Sequence, residues 1–398
     1  MKNPHSLVFL IFLAGLAALP PFSIDMALPA LRDISASLHT EPGLTGLTLT
    51  LFMAGFAATP VVYGPLSDRF GRRPILFVAI TLFTLGSLAA AAAPSIALLL
   101  AARFLEGAGA GGGTAMAFAI VRDSYEGHEG RVKLSNVQMV MGVAPMIAPT
   151  LGAFVLLAGW RSIYATLGLG GIALLATVLF SFKESHTERA QQGSVFGGVI
   201  KGYALLLRRR AGLGYALLFG ASFGVQFSFI SGSPLVFMGH FGLSPRIYGL
   251  IFGFVSAGII AGAFGNGRFT RIGISQAAAL KIGLSLYLLT GFAMLALLVT
   301  GQTDAMNLTV LLVISALAFG LIAPNASHGT MQALPEIGGL AGAVLTTLQM
   351  SVAVLSSAIV AASFAYFGLA AMIVPMLCFG LITNALYYFM VVPALKTA

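Results

Sequence analysis

Charge is scarce in this sequence, with Asp, Glu, Lys and Arg making up 8% of 398 residues. A soluble domain carries about a quarter of its residues charged, so a water-facing surface over most of the chain is excluded. Cysteine is almost missing. The lone Cys378 can close no intramolecular disulfide and is silent on redox compartment. The six histidines, His5, His39, His128, His186, His240 and His328, all fall in expected termini or loops. With Cys378 they form neither a metal-binding nor a nucleophilic constellation, which argues against a membrane-embedded acyl or glycosyl transferase and against any cofactor. No Walker A sequence occurs, so ATP is not the expected energy source. The one dinucleotide-like pattern, Gly107-Ala108-Gly109-Ala110-Gly111-Gly112, follows no strand. It reads better as close helix packing, with Gly109 and Gly113 four apart. No repeat resembles a selectivity filter, which disfavours a channel.

What the chain does contain is hydrocarbon. Hydrophobic residues make up 58% and the mean hydropathy is +0.96, more apolar surface than a soluble core of this size can bury. Runs such as 75–93 and 280–299 are apolar on nearly every side, as lipid-spanning helices require and barrel strands do not. Twelve spans are predicted near 6–30, 44–66, 75–93, 95–121, 132–158, 161–182, 213–236, 246–267, 275–299, 308–327, 340–365 and 368–392. The first continues past Pro20 and Pro21 to Pro29 and lacks a small-x-small cleavage site, so it is read as a span and not a signal peptide.

Of the 21 Lys and Arg residues, Arg103 and Lys281 lie within spans and Arg32, Arg161 and Arg246 in one set of alternate loops. All the others share the opposite side. Positive residues favour the cytoplasm, so both termini are expected there, in a bacterial inner membrane. The net charge of +9 then reflects topology, and no nucleic-acid partner is implied. A polar segment at 183–210 divides the membrane region into a six-helix bundle at 1–182 and a second at 211–398. Such a division suggests a duplicated unit with substrate bound between its halves.

Lys281, near the start of the ninth span, is expected to snorkel to the cytoplasmic interface, which leaves three ionisable residues deep within spans at a cost of several kcal/mol each in hydrocarbon: Asp25, Arg103 and Glu106. Asp25, late in the first span, reads as a buried carboxylate able to exchange a proton. Arg103 and Glu106 are three apart, close enough to pair on one helix face. Glu106 is either a structural partner of Arg103 or a second titrating group. Pro145 and Pro149, four apart in the fifth span, each remove a backbone donor and should bend that helix. Phe22, Met26, Gln138, Met141, Phe223, Gln226, Phe227, Asn325 and Gln349 are candidate cavity residues, apolar and adaptable with a few amides. An amide within a span is more often an interhelical hydrogen-bonding group than a ligand.

The string Gly64-Pro65-Leu66-Ser67-Asp68-Arg69-Phe70-Gly71-Arg72-Arg73-Pro74 resembles the signature loop between helices 2 and 3 of the major facilitator superfamily. Gly64 and Gly71 suit a tight turn after a helix, Asp68 suits a helix N-terminus, and the arginines suit a cytoplasmic face. Ser23-Ile24-Asp25-Met26-Ala27-Leu28-Pro29 is similar to the helix 1 motif of the drug:proton antiporters of the Bcr/CflA type. The segment from Gly142 through Pro145 and Pro149 to Gly152 resembles their helix 5 antiporter motif, with Ala153 where a second glycine is usual. Arg103-Phe104-Leu105-Glu106-Gly107 resembles their helix 4 motif, in which the arginine is tied to proton coupling and a glutamine usually stands at the position of Glu106.

The resemblance implies the major facilitator fold, all-α, with twelve transmembrane helices in two six-helix halves. It implies a proton-coupled antiporter that exports amphipathic drugs, such as antibiotics of bicyclomycin or chloramphenicol type, and acts without a cofactor as a monomer. Export of an endogenous metabolite such as an amino acid or sugar is the alternative. The residues carried over are Asp25, Arg103 and Glu106 for coupling, and Gly64, Asp68, Arg69, Gly71, Arg72 and Arg73 for a conformational latch. In the family the latch aspartate meets helix 11 when the cytoplasmic side is closed.

Overall fold

The computed structural model describes residues 6–125, 127–182, 184, 204–333 and 338–396. Among them every regular element is helical, as apolar surroundings demand of a chain whose backbone groups must pair within their own segment. Most of the expected linker at 183–210 lies outside the described residues. Twelve helices carry the fold: α1 Leu7–Asp25, α2 Pro42–Ala57 with its bent continuation Thr59–Phe70, α3 Arg72–Ala92, α4 Ile96–Ser124, α5 Gly127–Val155, α6 Trp160–Phe180, α7 Arg210–Pro234, α8 Pro245–Arg271, α9 Gln276–Val299, α10 Ala305–Ala333, α11 Gly338–Phe367 and α12 Ala370–Leu386. Eleven are long and apolar enough to cross a bilayer, and the bent pair, meeting at 41°, supplies a twelfth span. The expected all-α membrane fold is therefore the one observed.

The second span is bent, because Pro60 in the first turn of the continuation cannot donate to the preceding turn. One local expectation fails. Three histidines assigned to loops are helical: His128 lies within α5 and His328 within α10. His240 ends the helical extension Leu235–His240 that follows α7. Hydropathy marks only the apolar middle of a span, whereas backbone hydrogen bonding carries the helix beyond it. His328 is exposed, and among the described residues no three metal-ligating side chains come together.

The chain forms two compact units, residues 1–40 with 51–198 and residues 41–50 with 199–398. Between lipid-embedded helices the hydrophobic effect offers little preference, so small residues and hydroxyls supply the contact. In the first unit a Cβ on Gly107 would meet Phe52 Cα of α2 at 3.0 Å, and one on Gly109 would meet Phe83 Cα of α3 at 2.6 Å. Glycine alone lets α4 press on both neighbours, in line with the packing reading of this run. In the second unit hydroxyls join α7 to α11: Ser228 pairs with Ser356 at 2.7 Å and Ser357 donates to Ser231 at 3.2 Å. Thr50 of α2 adds a 2.8 Å bond to Ser357.

Candidate functional site

Ser95 accepts from the amide of Leu98 and starts α4, which sets the register of Arg103 and Glu106 one turn apart on its inner face. Arg103 is 1% exposed and Glu106 0%, so the pair meets neither lipid nor bulk water. Arg103 Nη1 donates to Glu106 Oε2 at 2.7 Å, and Nη2 donates to the Ser23 carbonyl of α1 at 3.0 Å. The guanidinium also lies 4.4 Å from the ring centroid of Phe52 and 5.5 Å from that of Tyr164 on α6. Four helices thus converge on one cation, as a buried guanidinium needs to offset its desolvation. Glu106 Oε1, Tyr164 OH and Ser23 Oγ are buried with no partner among the described residues. Sequence reasoning found the pair but missed Ser23, Phe52 and Tyr164. No motif marks a tyrosine from a distant span.

Asp25 is the last residue of α1, two positions beyond the carbonyl that Arg103 holds. Its side chain is 3% exposed and meets no hydrogen-bonding or charged partner among the described residues. Arg103 thus holds Glu106 and the α1 backbone.

The loop between α2 and α3 is organised differently from its sequence expectation. Gly71 takes φ +99° and turns the chain, but Gly64 sits inside the helical continuation of α2 with open space around it. Only one of the two glycines therefore serves the turn. Arg72 is buried, its Nε 2.8 Å from Asp123 Oδ2 and its Nη1 2.6 Å from Asp68 Oδ1, with Ser67 Oγ also accepting. Asp68 is therefore engaged with the Arg72 side chain. The α3 N-terminus is met by Glu184, which accepts from Arg72 N at 2.8 Å and Arg73 N at 3.1 Å. Arg73 in turn donates to the carbonyls of Val178 and Leu179 at the end of α6. Arg69 is exposed, 5.4 Å from the Phe70 ring. Asp123 and Glu184 were not singled out from sequence, since isolated acids beside basic residues look like ordinary loop charge. The side chains at 338–341, part of the segment expected to meet Asp68, lie outside the described residues.

α5 runs without a break through Pro145 and Pro149. A Cβ on Gly152 would meet Met26 Cα at 2.8 Å, so this glycine lets α5 rest on the end of α1, while Gly142 borders open space. Phe22 and Met26 line a groove of about 600 Å³ within the first unit, walled by α1, α5 and α6. Its two lining hydroxyls, on Thr166 and Thr177, already donate to carbonyls of their own helix. Gln138 is exposed and Met141 partly so, and neither lines that groove. In the second unit Phe223 stacks on Phe227 at 6.2 Å and meets Phe319 edge-on at 5.1 Å. Gln226 is buried beside them and Gln349 is half-buried. Asn325 spends both amide hydrogens on Asn266 Oδ1 and the Leu321 carbonyl, and so ties α10 to α8. That bond is interhelical, which leaves Asn325 no free donor for a cavity role.

A profile of the Major Facilitator Superfamily matches residues 7–357. The sequence is 38% identical to the uncharacterised MFS-type transporter YdgK of Bacillus subtilis over 277 residues, 69% of each chain. It is 26% identical to a bicyclomycin resistance protein homolog of Haemophilus influenzae over 90% of each chain. A chloramphenicol resistance protein of Pseudomonas aeruginosa is 33% identical over 63% of this chain and 59% of its own. Among solved structures, a D-xylose-proton symporter superposes with a TM-score of 0.75, covering 97% of this chain and 98% of that one at 17% identity, a likeness of fold.

Proposed function

This chain belongs to the Major Facilitator Superfamily and is a multi-pass membrane transporter, not an enzyme; from that premise we propose that it exports amphipathic small molecules in exchange for protons. The observation that carries the reading is the placement of Asp25 and the Arg103–Glu106 pair, all three buried within apolar spans. Ionisable groups are retained at such depth where transport chemistry needs them. Asp25 is the group that takes up and releases the proton. Arg103 is the cation whose pairing with Glu106 and the α1 backbone changes as it does so. The groove beside Phe22 and Met26 and the aromatic stack around Phe223 and Phe227 suit an apolar cargo without a fixed pattern of hydrogen bonds. The names of the Haemophilus and Pseudomonas relatives point to antibiotics as cargo.

Proton and cargo bias the same two-state equilibrium in opposite directions, which is how one gradient drives the other. The loop built on Gly64, Asp68, Arg69, Gly71, Arg72 and Arg73 acts as the conformational latch, and Gly142, Pro145, Pro149 and Gly152 shape the antiporter face of α5. The protein works as a monomer in the inner membrane with both termini in the cytoplasm. An efflux-deficient bacterial host with and without the gene, challenged with a panel of antibiotics, tests the export claim. Raised resistance that collapses when the proton gradient is dissipated is the expected result. Unchanged susceptibility across the panel, with proton-linked flux of an amino acid or sugar in vesicles, would replace the drug by a metabolite.

A further inference from the structure

Among the described residues six polar atoms of the first unit are buried without a partner, and three of them belong to residues against the Arg103 guanidinium. Glu106 Oε1 is the carboxylate oxygen that Arg103 leaves open, because its contact is to Oε2. Ser23 offers its carbonyl to Arg103 while its hydroxyl stays unmatched. Tyr164 faces the guanidinium with its ring, and its OH is likewise unmatched. The three come from α4, α1 and α6, and each residue is 0% exposed. Buried polar atoms in native proteins almost always have a partner, and a cluster of orphans calls for one they share.

We propose that this cluster binds one ordered water molecule, held by Glu106 Oε1 and the hydroxyls of Ser23 and Tyr164. The chemistry selects the ligand. An ionised carboxylate oxygen only accepts, whereas each hydroxyl has a hydrogen to donate. Water accepts from both hydroxyls and donates to Oε1, which matches the three or so hydrogen bonds typical of internal waters. A metal cation is opposed by Arg103 and an anion by Glu106, and an apolar group would satisfy none of the three atoms. The water fixes the free oxygen of Glu106 while Arg103 fixes the other, so both edges of the carboxylate are held. Tyr164 and Ser23 become positioning residues for Glu106, linking α6 and α1 to it through a shared molecule. The inference does not depend on proton exchange or on any cargo.

The test uses the purified full-length protein in detergent. Tyr164→Phe keeps the ring over Arg103 and removes the donor, Ser23→Ala removes the other, and Ser23→Thr restores a hydroxyl. Each hydroxyl deletion should lower the thermal midpoint by about 2–4 °C. The double variant should fall no further than the worse single one, because a water released by the first loss strands the second group. Ser23→Thr should behave as wild type. The infrared carboxylate band identified by its disappearance in Glu106→Gln should shift in Tyr164→Phe. Additive penalties, or a carboxylate band indifferent to Tyr164→Phe, would overturn the assignment. Should a variant fail to fold, a wild-type structure at a resolution that shows ordered waters decides: density bridging the three atoms supports the site, and its absence refutes it. No arm measures transport, so failure of antiport would leave this result standing.

Discussion

At the scale of single residues, the two buried carboxylates Asp25 and Glu106 have different situations and so predict different losses. Glu106 already pairs with Arg103 at 2.7 Å in a fully enclosed setting. Glu106→Ala would leave a buried cation short of its counter-charge, and breaking such a pair costs about 3–5 kcal/mol. A marked drop in thermal stability of the detergent-solubilised protein is expected. A stability equal to wild type would mean that the pair is not formed. Asp25 has no partner to lose among the described residues, so Asp25→Asn should fold and bind cargo normally. Its defect should be confined to coupling: in proteoliposomes, binding is retained while accumulation driven by an imposed proton gradient is abolished. Full accumulation by the variant would move the proton to another carboxylate, with Glu106 the next to test.

At the scale of elements, the turn into α3 concentrates several constraints at one position. Gly71 sits at φ +99°, a conformation that strains residues carrying a side chain. A Cβ there would also stand 2.5 Å from Glu184 Oε2, the carboxylate that meets the α3 N-terminus. Gly71→Ala should therefore destabilise by about 1–3 kcal/mol from the backbone alone, with a further loss from displacing Glu184. Adding Glu184→Ala should remove the steric part of the penalty and none of the backbone part. Thermal midpoints of the two single variants and the double separate these contributions, and strict additivity would show that no clash occurs. The contact of α5 with α1 supplies a second element-scale expectation. Gly152→Val would push α5 away from the Met26 backbone, so transport should fall more than that of Gly142→Val, whose site is open. Equal flux from the two variants would deny α5 packing a role in transport.

For the whole molecule, the distribution of basic residues sets the orientation in the membrane. Arg69, Arg72, Arg73, Arg122 and Arg208 to Arg210 fall at or near span ends assigned to one side, against Arg32, Arg161 and Arg246 on the other. The proposed orientation, with both termini in the cytoplasm, rests on the positive-inside rule. A C-terminal fusion to a reporter active only in the cytoplasm should be active, and one to a reporter active only in the periplasm silent. The reverse pattern would invert the topology and with it the direction of export.

The sequence by itself determined the solvent, the number of spans and the two intramembrane charges on α4, because each follows from local composition. Twenty apolar residues in a row have one stable form in lipid, and residues three apart on a helix share a face wherever that helix packs. The sequence also showed Gly71 and the loop's arginines, through a motif that is contiguous in the chain. What only the tertiary structure decided involves partners distant along the chain. Glu184 takes the α3 N-terminus, and Asp123 shares Arg72 with Asp68. Phe52 and Tyr164 close around Arg103, and Asn325 bonds across to Asn266. In an apolar chain, helical periodicity says little about which face meets which neighbour, since nearly every face is hydrophobic. The pairing of faces is set by where glycines permit close approach and where buried polar atoms find each other, and both depend on helices distant in sequence.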